Sequence, residues 1–232
     1  MSGVSVVIPY RGDDGGHRDR ALAWVLSWWQ AQHPAWQVVI GYCPPGPWCK
    51  GAALADGLAE LDSRDGVVVV ADADMITDGV GDAVTRVQTG GGWAVPHRLL
   101  HRLTETATAR LMASPPAGLT RPPDTATVER PYEGFAGGSM VVLARELLDQ
   151  VPIDPRFQGW GQQDEAWAVD LDATAGPAWR GTADIWHLWH PPQQRMSRRW
   201  GSPMNRALLR EHLVARQRGE TPALLSGIRA RS

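Results

Sequence analysis

Gly66-Val67-Val68-Val69-Val70-Ala71-Asp72-Ala73-Asp74 decides the fold of this chain. Four consecutive valines leave no polar face, so the strand they predict must be covered on both sides. The flanking sequence supplies the cover. Val4 to Pro9 reads as a second buried strand closed by proline, and Gln37 to Gly41 as a third, shorter one. Between them, His17 to Gln30 reads as a helix with Leu22, Val25, Leu26 and Trp29 turned to a core. Gly51 to Leu61 reads as another, starting just after Lys50. Strands alternating with helices argue for an α/β fold, a mostly parallel sheet wrapped by helices.

Past Pro96 the pattern changes. His97 to Met112 reads as a helix, and Ala113 to Arg130, with Pro115, Pro116, Pro122 and Pro123, as a long loop of the kind that covers or recognises a ligand. Gly138 to Ala144 reads as a strand, Asp164 to Leu171 as a helix, Thr182 to Trp186 as a last strand and Met204 to Arg218 as a last helix. At 232 residues, with 43% hydrophobic content and no evident linker, one α/β domain is expected.

A net charge of −2 excludes a global pull toward nucleic acid or an anionic membrane. The distribution is uneven, however: Arg195, Arg198, Arg199, Arg206, Arg210, Arg216, Arg218, Arg229 and Arg231 are opposed only by Glu211 and Glu220. That end reads either as a solvated basic face or as a surface for a phosphate-rich partner. Cys43 and Cys49 flank a proline-rich loop without zinc or thioredoxin spacing, and are expected as free thiols. No basic-then-apolar leader precedes Val4 and no run reaches membrane-spanning length, so a soluble cytoplasmic protein with no membrane partner is expected.

Asp72-Ala73-Asp74 stands directly after the valine strand, where open parallel sheets bind ligands. Two carboxylates spaced i, i+2 there can share a hard cation and a sugar hydroxyl; elsewhere such a pair often just caps a helix. His187 and His190 offer further ligands, and imidazole favours Mn²⁺ over Mg²⁺; packing histidines are the alternative. Trp186 and Trp189 alternate with them and read as packing residues. A second constellation runs from Pro131 to Glu165. Gly137-Gly138 before an apolar run suggests backbone held against a neighbour. Asp164-Glu165 opens a helix beside Trp160, whose ring suits the apolar face of a sugar. Those acids read either as a general base or as a complement to the helix dipole.

Together these motifs resemble a GT-A glycosyltransferase, close to the β-1,4-galactosyltransferase and polypeptide GalNAc-transferase groups. Pro131-Tyr132-Glu133-Gly134-Phe135-Ala136-Gly137-Gly138 resembles their Pro-Tyr-x-x-Tyr-Phe-Gly-Gly, and Gly159-Trp160-Gly161-Gln162-Gln163-Asp164 their Gly-Trp-Gly-Gly-Glu-Asp. Ile8-Pro9-Tyr10-Arg11 resembles Ile-Pro-Phe-Arg, Asp72-Ala73-Asp74 resembles Asp-Val-Asp, and the segment from Trp48 to Ala53, including Lys50, resembles family 2 enzymes. The resemblance spans roughly residues 4–192 and implies a single Rossmann-like GT-A domain. Its donor-nucleotide half would run to about residue 96, a variable segment over 97–130, a sugar and acceptor half over 131–192 and a basic helical tail over 193–232.

The resemblance also implies roles. Pro9, Tyr10 and Arg11 would hold the uracil and ribose of a UDP-sugar, with Lys50 in the same donor site. Asp72 would contact the ribose or donor sugar. Asp74, His190 and His187 would bind Mn²⁺ (Mg²⁺ as a substitute) on the diphosphate. Phe135, Gly138, Trp160 and Gln163 would line the sugar site, and Asp164 would be the base. Phe135 replaces a tyrosine and Gln163 a glutamate, so the donor sugar is left open. The expected activity is inverting transfer of a hexose to an acceptor hydroxyl on a glycan, a protein, a small molecule or a hydroxymethylated DNA base. Arg98, Arg102, Arg110 and the basic tail favour a polyanion such as DNA. The competing expectations are a non-catalytic sugar-binding scaffold and a nucleotidyltransferase, for which no glycine-rich phosphate loop is seen.

Overall fold

A computed structural model describes residues 3–116, 132–192 and 201–231. In chain order the elements are β1 (Val4–Tyr10), α1 (His17–Gln32), β2 (Gln37–Tyr42), α2 (Lys50–Ala59), β3 (Val67–Ala71), β4 (Met75–Ile76), α3 (Val80–Gly90), β5 (Trp93–Arg102) and α4 (Glu105–Met112). Then follow β6 (Tyr132–Glu133), β7 (Met140–Ala144), α5 (Arg145–Gln150), α6 (Gln163–Ala175), β8 (Trp179–His187), α7 (Pro203–Arg218) and α8 (Thr221–Arg229).

The valine strand behaves as its composition demands. Successive side chains of a strand point to opposite faces. Val67, Val69 and Ala71 enter one core with α1, α3 and α4, while Val68 and Val70 enter a second with α2, α5, α6 and α8. β1 divides likewise, Val6, Ile8 and Tyr10 against Val7. The protein is thus a three-layer α/β structure around one sheet, ordered β2-β1-β3-β7-β5-β8-β4 with β6 added to β5.

The sheet is mixed. Three pairings, β1·β2, β1·β3 and β5·β8, are parallel, and four, β3·β7, β5·β6, β5·β7 and β4·β8, are antiparallel. The parallel reading held for β1, β2 and β3, which α1 and α2 connect. β7 follows β6 after a short turn with no crossover helix, so nothing forces it parallel, and it runs against both neighbours. The helix expected over His97 to Met112 is instead the end of β5 followed by α4. Leu99, Leu100 and Leu103 fit a helical stripe, but β5 pairs Leu100 with Ile185 and Arg102 with His187. Tertiary pairing overrides that local spacing. α4 begins only after Thr104, whose Oγ1 accepts from the Ala107 amide at 3.0 Å. Residues 117–131, which hold most of the expected proline-rich loop and Pro131, lie outside the described residues, as do Arg195, Arg198 and Arg199. Among the described residues no helix is long and apolar enough to cross a membrane, and Cys43 and Cys49 are free thiols.

α7 is fastened to α6 by buried charge. His212 Nδ1 lies 2.7 Å from Asp170 Oδ2 and its Nε2 lies 3.1 Å from Asp154 Oδ2, with all three residues buried. Burial alone would strip the imidazolium proton, but the two carboxylates outweigh it and lift the His212 pKa to about 9. Burial likewise opposes the Asp154 charge, yet His212 and Arg156 bring its pKa down to about 2. A raised folded-state pKa gives stability present below the unfolded value and lost as pH rises through the folded one. Wild-type stability should therefore fall by about 3 kcal/mol between pH 6.5 and pH 9 relative to His212→Gln, read from urea midpoints. A flat difference across that window would remove His212 as the cause.

Candidate active site

The site lies beyond the carboxyl ends of β1 and β3, and backbone bonds assemble it. β7 starts beside the end of β3, with Met140 opposite Ala71, and the Asp72 amide donates to the Ser139 carbonyl at 2.9 Å. β4 pairs Met75 with His187, and the Leu188 amide donates to the Asp74 carbonyl at 2.8 Å. The turn after the valine strand is thereby stitched to the His187–His190 segment, more than a hundred residues away in sequence.

Asp74, His187 and His190 converge, each offering one ligand atom within 4.8 Å of the others. Asp74 Oδ2 lies 3.4 Å from His187 Nε2 and 3.2 Å from His190 Nε2. His190 Nδ1 donates to the Pro191 carbonyl at 2.7 Å, which aims Nε2 at Asp74. Burial opposes the Asp74 charge, but the two imidazoles hold its carboxyl far below the ordinary range. A cluster that keeps a partly buried carboxylate ionised and presents two imidazole nitrogens suits a first-row divalent ion.

Asp72 faces a different partner. Lys50 Nζ, at the first turn of α2, donates to Asp72 Oδ1 at 2.8 Å and to Asp164 Oδ1 at 2.7 Å. Burial would drive the proton off Lys50, and the two carboxylates reverse this, raising its pKa above the usual lysine value. One ammonium cannot neutralise every acid around it. Burial and the charges of Asp164 and Asp74 hold Asp72 above the carboxylate range despite Lys50. Asp164 is about one-third exposed, and its Oδ2 has no hydrogen-bond partner among the described residues. Gly137 places this acid: a Cβ there would stand 2.4 Å from the Asp164 carbonyl, and its φ of +79° favours glycine. Lys50→Met should destabilise the protein by about 2 kcal/mol, because it leaves two half-buried carboxylates without a counter-charge. Chemical denaturation should show this loss shrinking at acid pH, as Asp72, held above the carboxylate range, takes up its proton.

Trp160 stacks on Trp48 with ring centroids 5.9 Å apart and an 18° tilt. Arg18, in the first turn of α1, lies over Trp160 at 5.3 Å and reaches within 3.4 Å of His190 Nδ1. It has no carboxylate partner among the described residues and bridges the Asp74–His187–His190 cluster and the tryptophan pair. The sequence reading passed over Arg18, Trp48 as a platform, and the bridging geometry of Lys50. An isolated helix-start arginine in His17-Arg18-Asp19-Arg20 gives no pattern to find it by.

The remaining expected residues are placed as follows. Pro9 and Tyr10 end β1; Tyr10 is buried, its hydroxyl bonded to Asp19, and burial and that bond raise its pKa. Arg11 donates to the carbonyls of Pro44 and Gly46 at 2.8 and 2.6 Å and to Cys43 Sγ at 2.9 Å, so it organises the loop leading to Trp48. Phe135 is 71% exposed, and a Cβ on Gly138 would meet only Phe135, at 3.8 Å. Gln163 is buried at the start of α6, its Oε1 without a hydrogen-bond partner among the described residues. Trp186 packs flat on His101 at 4.4 Å, and Trp189 meets His17 edge-on at 4.7 Å, in keeping with packing roles.

No family model matches this sequence, and no curated protein does. Solved structures do. The catalytic domain of Drosophila β1,4-galactosyltransferase 7 in complex with xylobiose superposes with a TM-score of 0.56 at 12% identity, over 90% of this chain and 80% of that one. A variant of that Drosophila enzyme in complex with manganese, UDP-Gal and xylobiose gives a TM-score of 0.52 at 13% identity, over 87% and 75%. Glucosyl-3-phosphoglycerate synthase from Mycobacterium tuberculosis, with Mg²⁺ and UDP, is similar at 17% identity and a TM-score of 0.48, over 93% and 79%. At these identities the likeness establishes the architecture: this chain has the GT-A fold of the galactosyltransferase, a mixed sheet between two layers of helices.

Proposed function

We propose that the protein is an inverting, metal-dependent glycosyltransferase that moves a hexose from a UDP-sugar to an acceptor hydroxyl. The observation that carries this reading is the convergence of the Asp74, His187 and His190 cluster with the Asp72–Lys50–Asp164 line at one end of the sheet. The Drosophila galactosyltransferase, crystallised with manganese and UDP-Gal, supports a UDP-sugar and a divalent ion on this fold. The donor set, one carboxylate oxygen and two imidazole nitrogens, fits Mn²⁺ better than Mg²⁺. Bound there, the ion would supply positive charge to the departing diphosphate.

The chain's own residues do the rest. Residues up to about 96 would form the donor half, with Pro9, Tyr10 and Arg11 at the nucleoside and Asp72 at the ribose or donor sugar. Arg18 adds a second positive charge beside the metal cluster. Trp160 offers an apolar face to a sugar ring, with Phe135, Gly138 and Gln163 in the same half. Asp164 Oδ2, without a hydrogen-bond partner among the described residues, takes the proton of the acceptor hydroxyl as its oxygen forms a bond to the anomeric carbon and the bond to UDP breaks. Lys50 holds the other Asp164 oxygen, which fixes the base in place.

Several arginines expected to meet a polyanion are bonded within the chain: Arg98 to Glu133, Arg102 to Tyr132, Arg216 to Asp172 and Arg229 to the Gln150 carbonyl. The acceptor is therefore proposed as a hydroxyl on a glycan, protein side chain or small molecule. A hydroxymethylated DNA base is the arm that a salt titration tests, through a steep loss of activity with ionic strength. Incubation with several UDP-sugars, Mn²⁺ and acceptor pools should release UDP and add a hexose mass to one acceptor. Release of pyrophosphate would identify a nucleotidyltransferase instead, and binding without turnover would identify a non-catalytic scaffold.

A further inference from the structure

The turn that carries Trp160 and leads into Asp164 cannot hold its own shape. Gly159, Gly161 and Gln162 all have left-handed backbone, with φ of 70°, 100° and 69°, and non-glycine residues adopt that region only at a cost. Such a turn has few internal hydrogen bonds and needs partners from elsewhere. On one side, the Gly159 amide donates to the Trp48 carbonyl at 2.7 Å. Further hydrogen bonds come from the segment that enters α7, beyond the last motif the sequence offered.

Asn205 is fully buried. Its Nδ2 donates to the carbonyls of Gln158 and Gly161 at 3.0 Å each and lies 3.5 Å from that of Trp160. Its Oδ1 accepts from the Gln158 amide at 3.3 Å. Four residues earlier, the Gly201 amide donates to Gln162 Oε1 at 2.9 Å. Gly201 approaches so closely that a Cβ there would stand 1.3 Å from the Trp160 carbonyl oxygen. Ser202, whose Oγ accepts from the Asn205 amide at 3.0 Å, caps α7 and fixes the asparagine in register.

We infer that Asn205 is a positioning residue for glycosyl transfer, acting through the 158–162 turn to set the Trp160 ring and the Asp164 carboxylate against the acceptor. Gly201 serves the same end by its lack of a side chain. This deepens the reading above and rests on it for the word transfer. The chemical logic is that of a template. A single carboxamide offers both donors and acceptor to a left-handed turn, and a neighbouring α-helix supplies the rigidity. A displacement of about 1 Å at an attacking group can cost about 100-fold in rate.

The test compares Asn205→Ala and Gly201→Ala with Leu225→Ala, a core truncation on α8 that lowers stability far from the turn. Transfer turnover should fall about 10- to 100-fold in the first two, with the UDP-sugar KM within about twofold, while Leu225→Ala keeps its turnover. Combining Asn205→Ala with Trp160→Ala should cost little more than the worse single change, because both act on one turn. Hydrogen exchange gives a readout independent of activity: the Gln158 amide should exchange at least about tenfold faster in Asn205→Ala than in Leu225→Ala. Equal turnover in all three variants, additive losses with Trp160→Ala, or unchanged Gln158 exchange would each overturn the assignment. Should the wild type transfer no sugar, the proposed function falls on that result, and the exchange data still decide whether Asn205 holds the turn.

Discussion

Asp164→Asn should lower the transfer rate by about 10² to 10⁴-fold while leaving the UDP-sugar KM within about twofold. The substitution isolates the proton-accepting role because the geometry protects everything else. An asparagine oxygen in the place of Oδ1 still accepts from Lys50, and Lys50 keeps its second bond to Asp72, so the buried ammonium is not left unpaired. The position of α6 is independently fixed by Gly137 against the Asp164 backbone carbonyl. What disappears is the basicity of Oδ2. A structural role for Asp164 predicts a different signature, a fall in stability with turnover preserved. The two outcomes are separated by measuring initial rates and urea midpoints on the same preparations. Turnover undiminished in Asp164→Asn would remove it as the base.

How much of this was legible beforehand follows from what each residue needs in order to be recognised. The valine strand carried its own environment, since four apolar residues in a row require two covered faces, and both cores meet there. The Asp72 and Asp74 pair was legible because its position after that strand is a topological fact. By contrast, Lys50 meets Asp164 across 114 positions of sequence, and nothing local to either residue announces the pair. Asn205 was invisible for the same reason: it acts on a turn 44 to 47 positions away through one carboxamide, inside a helix whose outward face is charged. The misreading of β5 has another cause. Its leucines satisfy two periodicities at once, and only pairing with β8 chooses between them. Motif spacing therefore picked out candidate residues that the fold brings together, while the bonds that aim them come from sequence-distant segments packed around the sheet ends.

Asp74→Ala should weaken Mn²⁺ binding by at least about 100-fold, a larger loss than that from any residue merely neighbouring the ligands. Asp74 contributes the only carboxylate of the cluster, so without it two neutral imidazoles face a divalent ion with no negative charge to offset. The fold should survive the change. The bond that stitches this turn to the histidine segment uses the Asp74 backbone carbonyl, which alanine retains, and Met75 remains paired with His187. Titrating protein against Mn²⁺ and following the free aqueous ion by electron paramagnetic resonance reads the affinity directly, without relying on activity. His190→Ala should give a loss of the same order, since its Nδ1 contact to Pro191 already aims Nε2 at the cluster. His187, a strand-end residue at 3.4 Å from Asp74, provides the internal comparison: a comparable loss in His187→Ala makes it a third ligand, and affinity within about threefold of wild type makes it a neighbour that orients Asp74. Mn²⁺ affinity unchanged in Asp74→Ala would move the metal elsewhere on the molecule, and with it the diphosphate of the donor.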